Sequence, residues 1–205
     1  MDPLSGTRAD DAAVTAAAAA ATARYRANLE RFNATPKQAP PPTPDAPAAR
    51  LIRLCLLAHE ESHATALDEI RRGRKTSHWI WWEWPAFAPV RSTSRPEYDL
   101  RSAAAAAAWL EHATLAPRWA EMTATAVEHL EQGRPAPALF GSGTDAAKFH
   151  ESCTLASLVA PRAEQRELAA RAVRALKLPP HAGVLRAVEA ERERERSPER
   201  GAQVV

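Results

Sequence analysis

The chain has 205 residues, 27 basic and 25 acidic, for a formal net charge of +2, and 47 of its residues are alanine. Leu, Ile, Val and Phe together number 34, a low share for a globular chain; alanine buries little surface, so the apolar content supports one compact domain and not two. These figures exclude a transmembrane helix, for which no run of about 20 bulky apolar residues exists, a disulfide framework, with only Cys55 and Cys153 present, and nucleic-acid binding driven by net charge.

Residues 1–47 open with an alanine-rich segment that has little to bury. They close with a linker holding six of the 17 prolines, which blocks helix, and the whole stretch is expected to be disordered. Asp2, Asp10 and Asp11 argue against a secretory or organellar leader, so a cytoplasmic, reducing setting is expected. Only 12 residues are Val or Ile, which disfavours a large sheet. The expectation is an all-α fold, a single compact helical domain over 48–188 with about five to seven helices and flexible ends.

The first strong helix is predicted over 49–72, with leucines at its start, no single clean apolar stripe, and Gly73 as its stop. A tryptophan-dense segment follows, from Ser77 to Pro85. Further helices are predicted over 102–112 and 116–132, the latter closed by Gly133. Another runs to Val159, capped by Thr144 or Asp145, and one opens at Pro161 toward Leu178. Residues 189–205 mix acids and arginines with almost no apolar side chain and read as a solvated helical extension fraying into a charged, disordered tail. Cys55 and Cys153 sit among apolar neighbours and read as core thiols.

Three constellations can carry chemistry. In His59-Glu60-Glu61-Ser62-His63 two histidines four apart share a helix face, and Glu60 is placed as a zinc protease's general base. The third ligand of the extended motif would fall at Glu69 and its glycine at Ala66; Glu83, 20 residues beyond His63, is the other candidate. The plainer reading is a solvent-facing histidine pair, and no metal or other cofactor is expected.

The second constellation is Gly73-Arg74-Lys75-Thr76-Ser77-His78-Trp79-Ile80-Trp81-Trp82. Arg74 and Lys75 suit a phosphate or carboxylate, Ser77 adds a hydroxyl, and Trp79 or Trp82 offers a stacking face, unless the tryptophans are simply core. The third is Phe140-Gly141-Ser142-Gly143-Thr144-Asp145, with Lys148 in the following first turn, a glycine-bearing loop that offers backbone N–H groups to an anion. It lacks the spacing of a P-loop.

These last two segments resemble the uncharacterised family called domain of unknown function 1810, whose members are all-helical. That family's typical run, Gly-Arg-Lys-x-Ser-His-Trp-Met-Trp followed by Phe-Pro-Gln, is matched by Gly73–Trp81 and then Trp84-Pro85-Ala86. Its later run is echoed by Phe140-Gly141, Asp145, Lys148, Ser152, Thr154 and Leu155, and the likeness covers about 64–161. Ala86 replaces the family's glutamine, Glu83 stands where an apolar residue is usual, and the His59–His63 pair lies outside the pattern. A weaker likeness to the NADAR family of ADP-ribose-linked N-glycosidases implies nucleotide-sugar binding.

The leading expectation is recognition of a small phosphorylated or nucleotide-like ligand in a basic, tryptophan-walled pocket. Arg74, Lys75 and Ser77 hold the anion, Trp79 or Trp82 stacks, and Lys148 completes the rim. His78 is the acid–base candidate and Asp145 the carboxylate, for hydrolysis of a glycosidic or phosphate bond. The competing expectation is a noncatalytic module that engages a protein partner through the flexible ends; a zinc metalloprotease stands last.

Overall fold

Helix α1, Ala46–Arg71, is the longest element of the computed structural model, which describes residues 46–197. The expectations for the alanine segment, the proline linker up to Asp45 and the last eight residues lie outside the described residues. Along α1, Leu51, Leu54, Cys55, Ala58, His59, Ala66, Leu67 and Ile70 are buried, at the three-and-four spacing of one helix face. The face is continuous, contrary to the reading of the sequence. Its middle is made of His59, Ser62 and His63, so polar side chains interrupt the hydrophobic pattern where the helix faces Trp82 and Glu83.

Gly73 ends α1 at φ +76°, a conformation an L side chain resists, and its N–H bonds to the Ile70 carbonyl at 2.8 Å. A single-turn helix α2, Ile80–Glu83, carries the tryptophan segment. An extended stretch then pairs Phe87 with Leu100 in an isolated parallel bridge, around a 3-10 turn at Pro96–Tyr98. Helix α3, Ala103–Glu111, starts at Ser102, whose Oγ accepts the Ala105 N–H. Helix α4 is Leu115–Glu131, and α5 is the single turn Ala136–Leu139.

Helix α6, Gly143–Val159, is capped by Ser142, whose extended backbone lets its Oγ accept the Asp145 N–H. The cap therefore falls earlier than Thr144 or Asp145, and this leaves the Asp145 carboxylate free for the site. Helix α7, Ala163–Ala175, begins two residues after Pro161. Helix α8, Ala182–Arg196, takes in the charged run from Glu189, and its Glu191 accepts the Ala103 N–H at 2.7 Å. Among the described residues there are eight α-helices, two of them single turns too short to leave a periodic signal.

The core compensates for the shortage of large aliphatics with rings. Trp79, Trp84, Trp109, Trp119, Phe87, Phe140 and Phe149 are all essentially inaccessible. Trp84 meets Phe149 and Phe140 edge-on, at 4.8 and 5.6 Å between centroids, and donates its indole N–H to Thr123 at 3.1 Å. Helix α6 is central, packed by α3, α5, α7 and α8, while α4 joins α1 to α7. Cys55 and Cys153 are buried and unpaired, and burial pushes the Cys55 thiol up to about 12, so both are inert core thiols. No helix among the described residues is long and apolar enough to cross a membrane.

Candidate functional site

The two glycine-bearing segments meet. The Lys75 N–H donates to the Leu139 carbonyl at 2.7 Å, and Gly141, at φ +76°, lies so close that a Cβ there would stand 2.9 Å from the Lys75 carbonyl oxygen. This contact brings Lys75 to the start of α6. Its ammonium reaches Asp145 Oδ2 at 2.7 Å, and Lys148 donates to Asp145 Oδ1 at 3.2 Å. Both lysine side chains are more than nine-tenths buried, while Asp145 is 15% exposed and Thr144 and Gly143 beside it are open.

Aromatic faces complete the rim. Lys148 Nζ lies 4.9 Å from the Trp81 ring, Arg95 lies 5.7 Å from the same ring, and Lys75 Nζ is 5.3 Å from Trp79. The Trp81 indole N–H is buried with no hydrogen-bond partner. Asp99, on the far side of the bridge, accepts from Thr93. Burial raises its carboxyl above the ordinary value, against the pull of Thr93 and of nearby Lys148. Asp99 also lines a groove of about 1010 Å³ between the start of α1, the 3-10 turn and α3.

The residues singled out from the sequence divide. Lys75, Asp145 and Lys148 come together. His78 is exposed, its ring 6.2 Å from Trp81, and Arg74 is exposed. Trp79 is 1% exposed, with its N–H on Glu69 at 2.8 Å; the Ser77 N–H is held by the same carboxylate at 3.1 Å. Trp82 turns to Ser62 and Tyr98 instead. Trp81 is the residue of the tryptophan run that lies against Lys148, whereas Lys75 lies against the buried Trp79. Sequence spacing alone does not select it, because α2 is one turn long and its faces are assigned only by packing.

The histidine pair is not at the surface. His59 is 1% exposed and the His63 side chain 11%, and both face Glu83, which is wholly buried. His63 Nδ1 lies 3.0 Å from Glu83 Oε1 and His59 Nδ1 lies 3.5 Å from it. Burial pushes the His59 imidazole below its ordinary value, with Glu83 and the Trp82 carbonyl opposing. Glu83, the acid that stands at an ordinarily apolar position, is the residue that meets the pair. Glu60 is exposed on another side of α1.

A second titratable group joins α6 to α8. Arg91 clamps Glu151 through two bonds of 2.8 and 2.6 Å, and His181 lies 3.7 Å from the same carboxylate. His150 stacks edge-on against His181, and its ring nitrogen pairs with the Pro179 carbonyl. This arrangement ties the α7–α8 connection to the core.

Gly141→Ala tests the contact between the segments. The substitution puts a Cβ into a left-handed backbone and against the Lys75 carbonyl, so a loss of roughly 2 kcal/mol is expected. It reads as a lower urea midpoint with unchanged slope; an unchanged midpoint would show that the loop does not pack on Lys75.

Fold and site together define an all-α domain with a buried tryptophan cluster, a lysine–carboxylate rim and a His/His/Glu cluster. The chain belongs to the family described as "Protein of unknown function (DUF1810)", whose model matches residues 50–174. That span includes most of α1, and with it the histidine pair. The crystal structure of the conserved hypothetical protein Rv1873 from Mycobacterium tuberculosis is similar to the chain. Its TM-score is 0.54 at 25% identity, over 62% of this chain and 86% of that one. A comparison with curated proteins finds no match.

Proposed function

We propose that the chain binds a small phosphorylated or nucleotide-like ligand at the rim formed by Lys75, Asp145, Lys148 and Trp81. The observation that carries this reading is the pair of almost fully buried ammonium groups converging on one carboxylate beside an aromatic ring. Each ammonium has three donors, and Asp145 takes one from each, which leaves donor capacity for phosphate oxygens. Trp81 supplies the ring against which a base or sugar stacks, and its unpartnered N–H is a further donor.

His78, exposed beside Trp81, is the acid–base candidate for cleaving a glycosidic or phosphate bond in that ligand, with Asp145 the carboxylate. The competing reading is a noncatalytic interaction module. It draws on Leu178 and Leu185, large apolar side chains that, among the described residues, are left exposed around the start of α8.

The test is a thermal-shift and calorimetric screen of the full chain against ADP-ribose, adenosine monophosphate, ribose 5-phosphate and inorganic phosphate. A ligand at about 100 times its dissociation constant adds roughly 2.7 kcal/mol, enough to raise the midpoint by several degrees. Binding weakened about tenfold or more in Lys148→Gln and Lys75→Gln, in variants that remain folded, supports the rim. His78→Ala then separates binding from turnover. Absence of any shift across the panel favours the interaction module instead.

A further inference from the structure

His59 and His63 lie one turn apart on α1, and Glu83 ends α2 against them, so that one ligand atom from each lies within 4.8 Å of the others. The hydrogen-bond pattern decides which atoms are available. His59 Nε2 lies 2.9 Å from the Trp82 carbonyl, which can only accept, so Nε2 carries the hydrogen. Nδ1 of the same ring then presents a lone pair. It is buried, without a hydrogen-bond partner, and 3.5 Å from Glu83 Oε1. Two electron-rich atoms facing each other in a water-poor place call for a cation between them.

The spacing fits an ion. Ligands held at about 2.0–2.1 Å in a tetrahedral zinc site stand about 3.3 Å apart. Here His63 Nδ1 and His59 Nδ1 lie 3.0 and 3.5 Å from the same carboxylate oxygen. The two rings are stacked at 5.3 Å with 22° between planes, so both imidazoles present an Nδ1 to the same carboxylate. The Trp82 carbonyl on His59 Nε2–H is the kind of outer contact that fixes the tautomer and orientation of a metal-ligating histidine.

The donor set also selects the ion. Two imidazole nitrogens and one carboxylate oxygen suit zinc and its neighbours, whereas calcium and magnesium take mostly oxygen ligands. Cys55, one turn earlier on α1, is not part of the group whose ligand atoms converge, which is His59, His63 and Glu83. Arg118 acts electrostatically on His59, and its positive charge is set against that of Glu83.

We propose that His59 Nδ1, His63 Nδ1 and Glu83 Oε1 bind a single divalent transition-metal ion of the zinc class, with the fourth position left to solvent or a ligand. Three protein ligands and one open position is the arrangement of reactive rather than purely structural zinc. On binding, His63 gives up its Nδ1 hydrogen, either to solvent or by taking the other tautomer, and the Glu83 carboxylate exchanges that hydrogen bond for the ion. This site is independent of the lysine rim.

The full chain, stripped with a chelator and dialysed, is titrated with zinc alone by calorimetry. Uptake of one ion per chain is expected, with a rise in thermal midpoint. Affinity should fall at least about 100-fold in His63→Ala and in Glu83→Gln and stay unchanged in His129→Ala, a half-buried histidine elsewhere on the domain. Because Glu83→Gln can unfold the core, cobalt(II) is added to the wild-type chain as a second reading. Intense visible bands of a tetrahedral ion support the site. Failure of the wild type to take up zinc, uptake undiminished in a folded His63→Ala, or the weak bands of six-coordinate cobalt would each overturn the proposal.

Discussion

Replacing Trp84 with alanine is expected to cost about 3–5 kcal/mol and to lower the thermal midpoint by roughly 10 °C or more. Trp84 is fully buried, meets Phe140 and Phe149 edge-on, and touches Trp79 at 5.8 Å between centroids. In a domain poor in large aliphatic side chains, collapse around the gap is limited, so a cavity term adds to the lost transfer energy. Thr123 would also lose the indole N–H that now occupies its buried hydroxyl. Trp82→Ala, at a partly exposed position, is the control and should cost clearly less. Equal losses in the two variants, measured by thermal and urea unfolding, would mean that the ring cluster is not the centre of the core.

The second large effect is expected at Glu69. Its carboxylate accepts the Thr76 N–H at 2.8 Å, the Ser77 N–H at 3.1 Å and the Trp79 indole N–H at 2.8 Å. It thereby shapes the turn that delivers Lys75 to the rim. Glu69→Ala leaves the indole donor buried and unpaired and frees the turn, a loss of about 2–4 kcal/mol. Burial by itself would raise the Glu69 carboxyl, but the N–H groups outweigh it and hold the carboxyl below its ordinary value of 4.5. A carboxyl lowered on folding contributes stability that is fully present above that ordinary value. This stability is lost as pH falls through the lower, folded value. The acid limb of the thermal midpoint, followed from pH 6 downward to about pH 3, should therefore be shallower in Glu69→Gln than in the wild type. Parallel limbs would remove Glu69 from the linkage.

Much of the helical layout is written locally. Gly73 and Gly133 each fall where a helix must stop and the backbone turns to positive φ. Ser102 starts α3 through its own hydroxyl, and the spacing of leucines and alanines marks α1 and α4. The single turns α2 and α5 are different, because four residues carry no period; they form where packing puts them. The charged run from Glu189 shows a related limit. Its composition says only that it is solvated and helical, whereas the helix is anchored by Glu191 on the first turn of α3, a contact between residues 88 apart in the chain.

The site was legible in its parts and not in its assembly. Basic residues beside tryptophans, and a lysine one turn into a glycine-led helix, single out Lys75 and Lys148 as candidates before any fold is known. Which tryptophan each lysine meets depends on how α2 packs: Lys148 meets Trp81 and Lys75 meets Trp79, which is buried on Glu69, while Trp82 turns toward Ser62. The histidine pair misled in the opposite direction. Polar residues at His59, Ser62 and His63 lower the apparent amphipathicity of α1, and the pattern then reads as solvent-facing.

The sequence by itself determined that this is a helical, alanine-rich domain with a tryptophan-dense, motif-bearing basic segment, because composition, capping residues and period act over a few neighbours. Only the tertiary structure decided that Lys75 meets Asp145 and that His59 and His63 meet Glu83. Those contacts span 70 and about 20 residues, and they exist because the bulky rings have one way to pack. The burial of those rings carries the polar groups attached to the same helices into place.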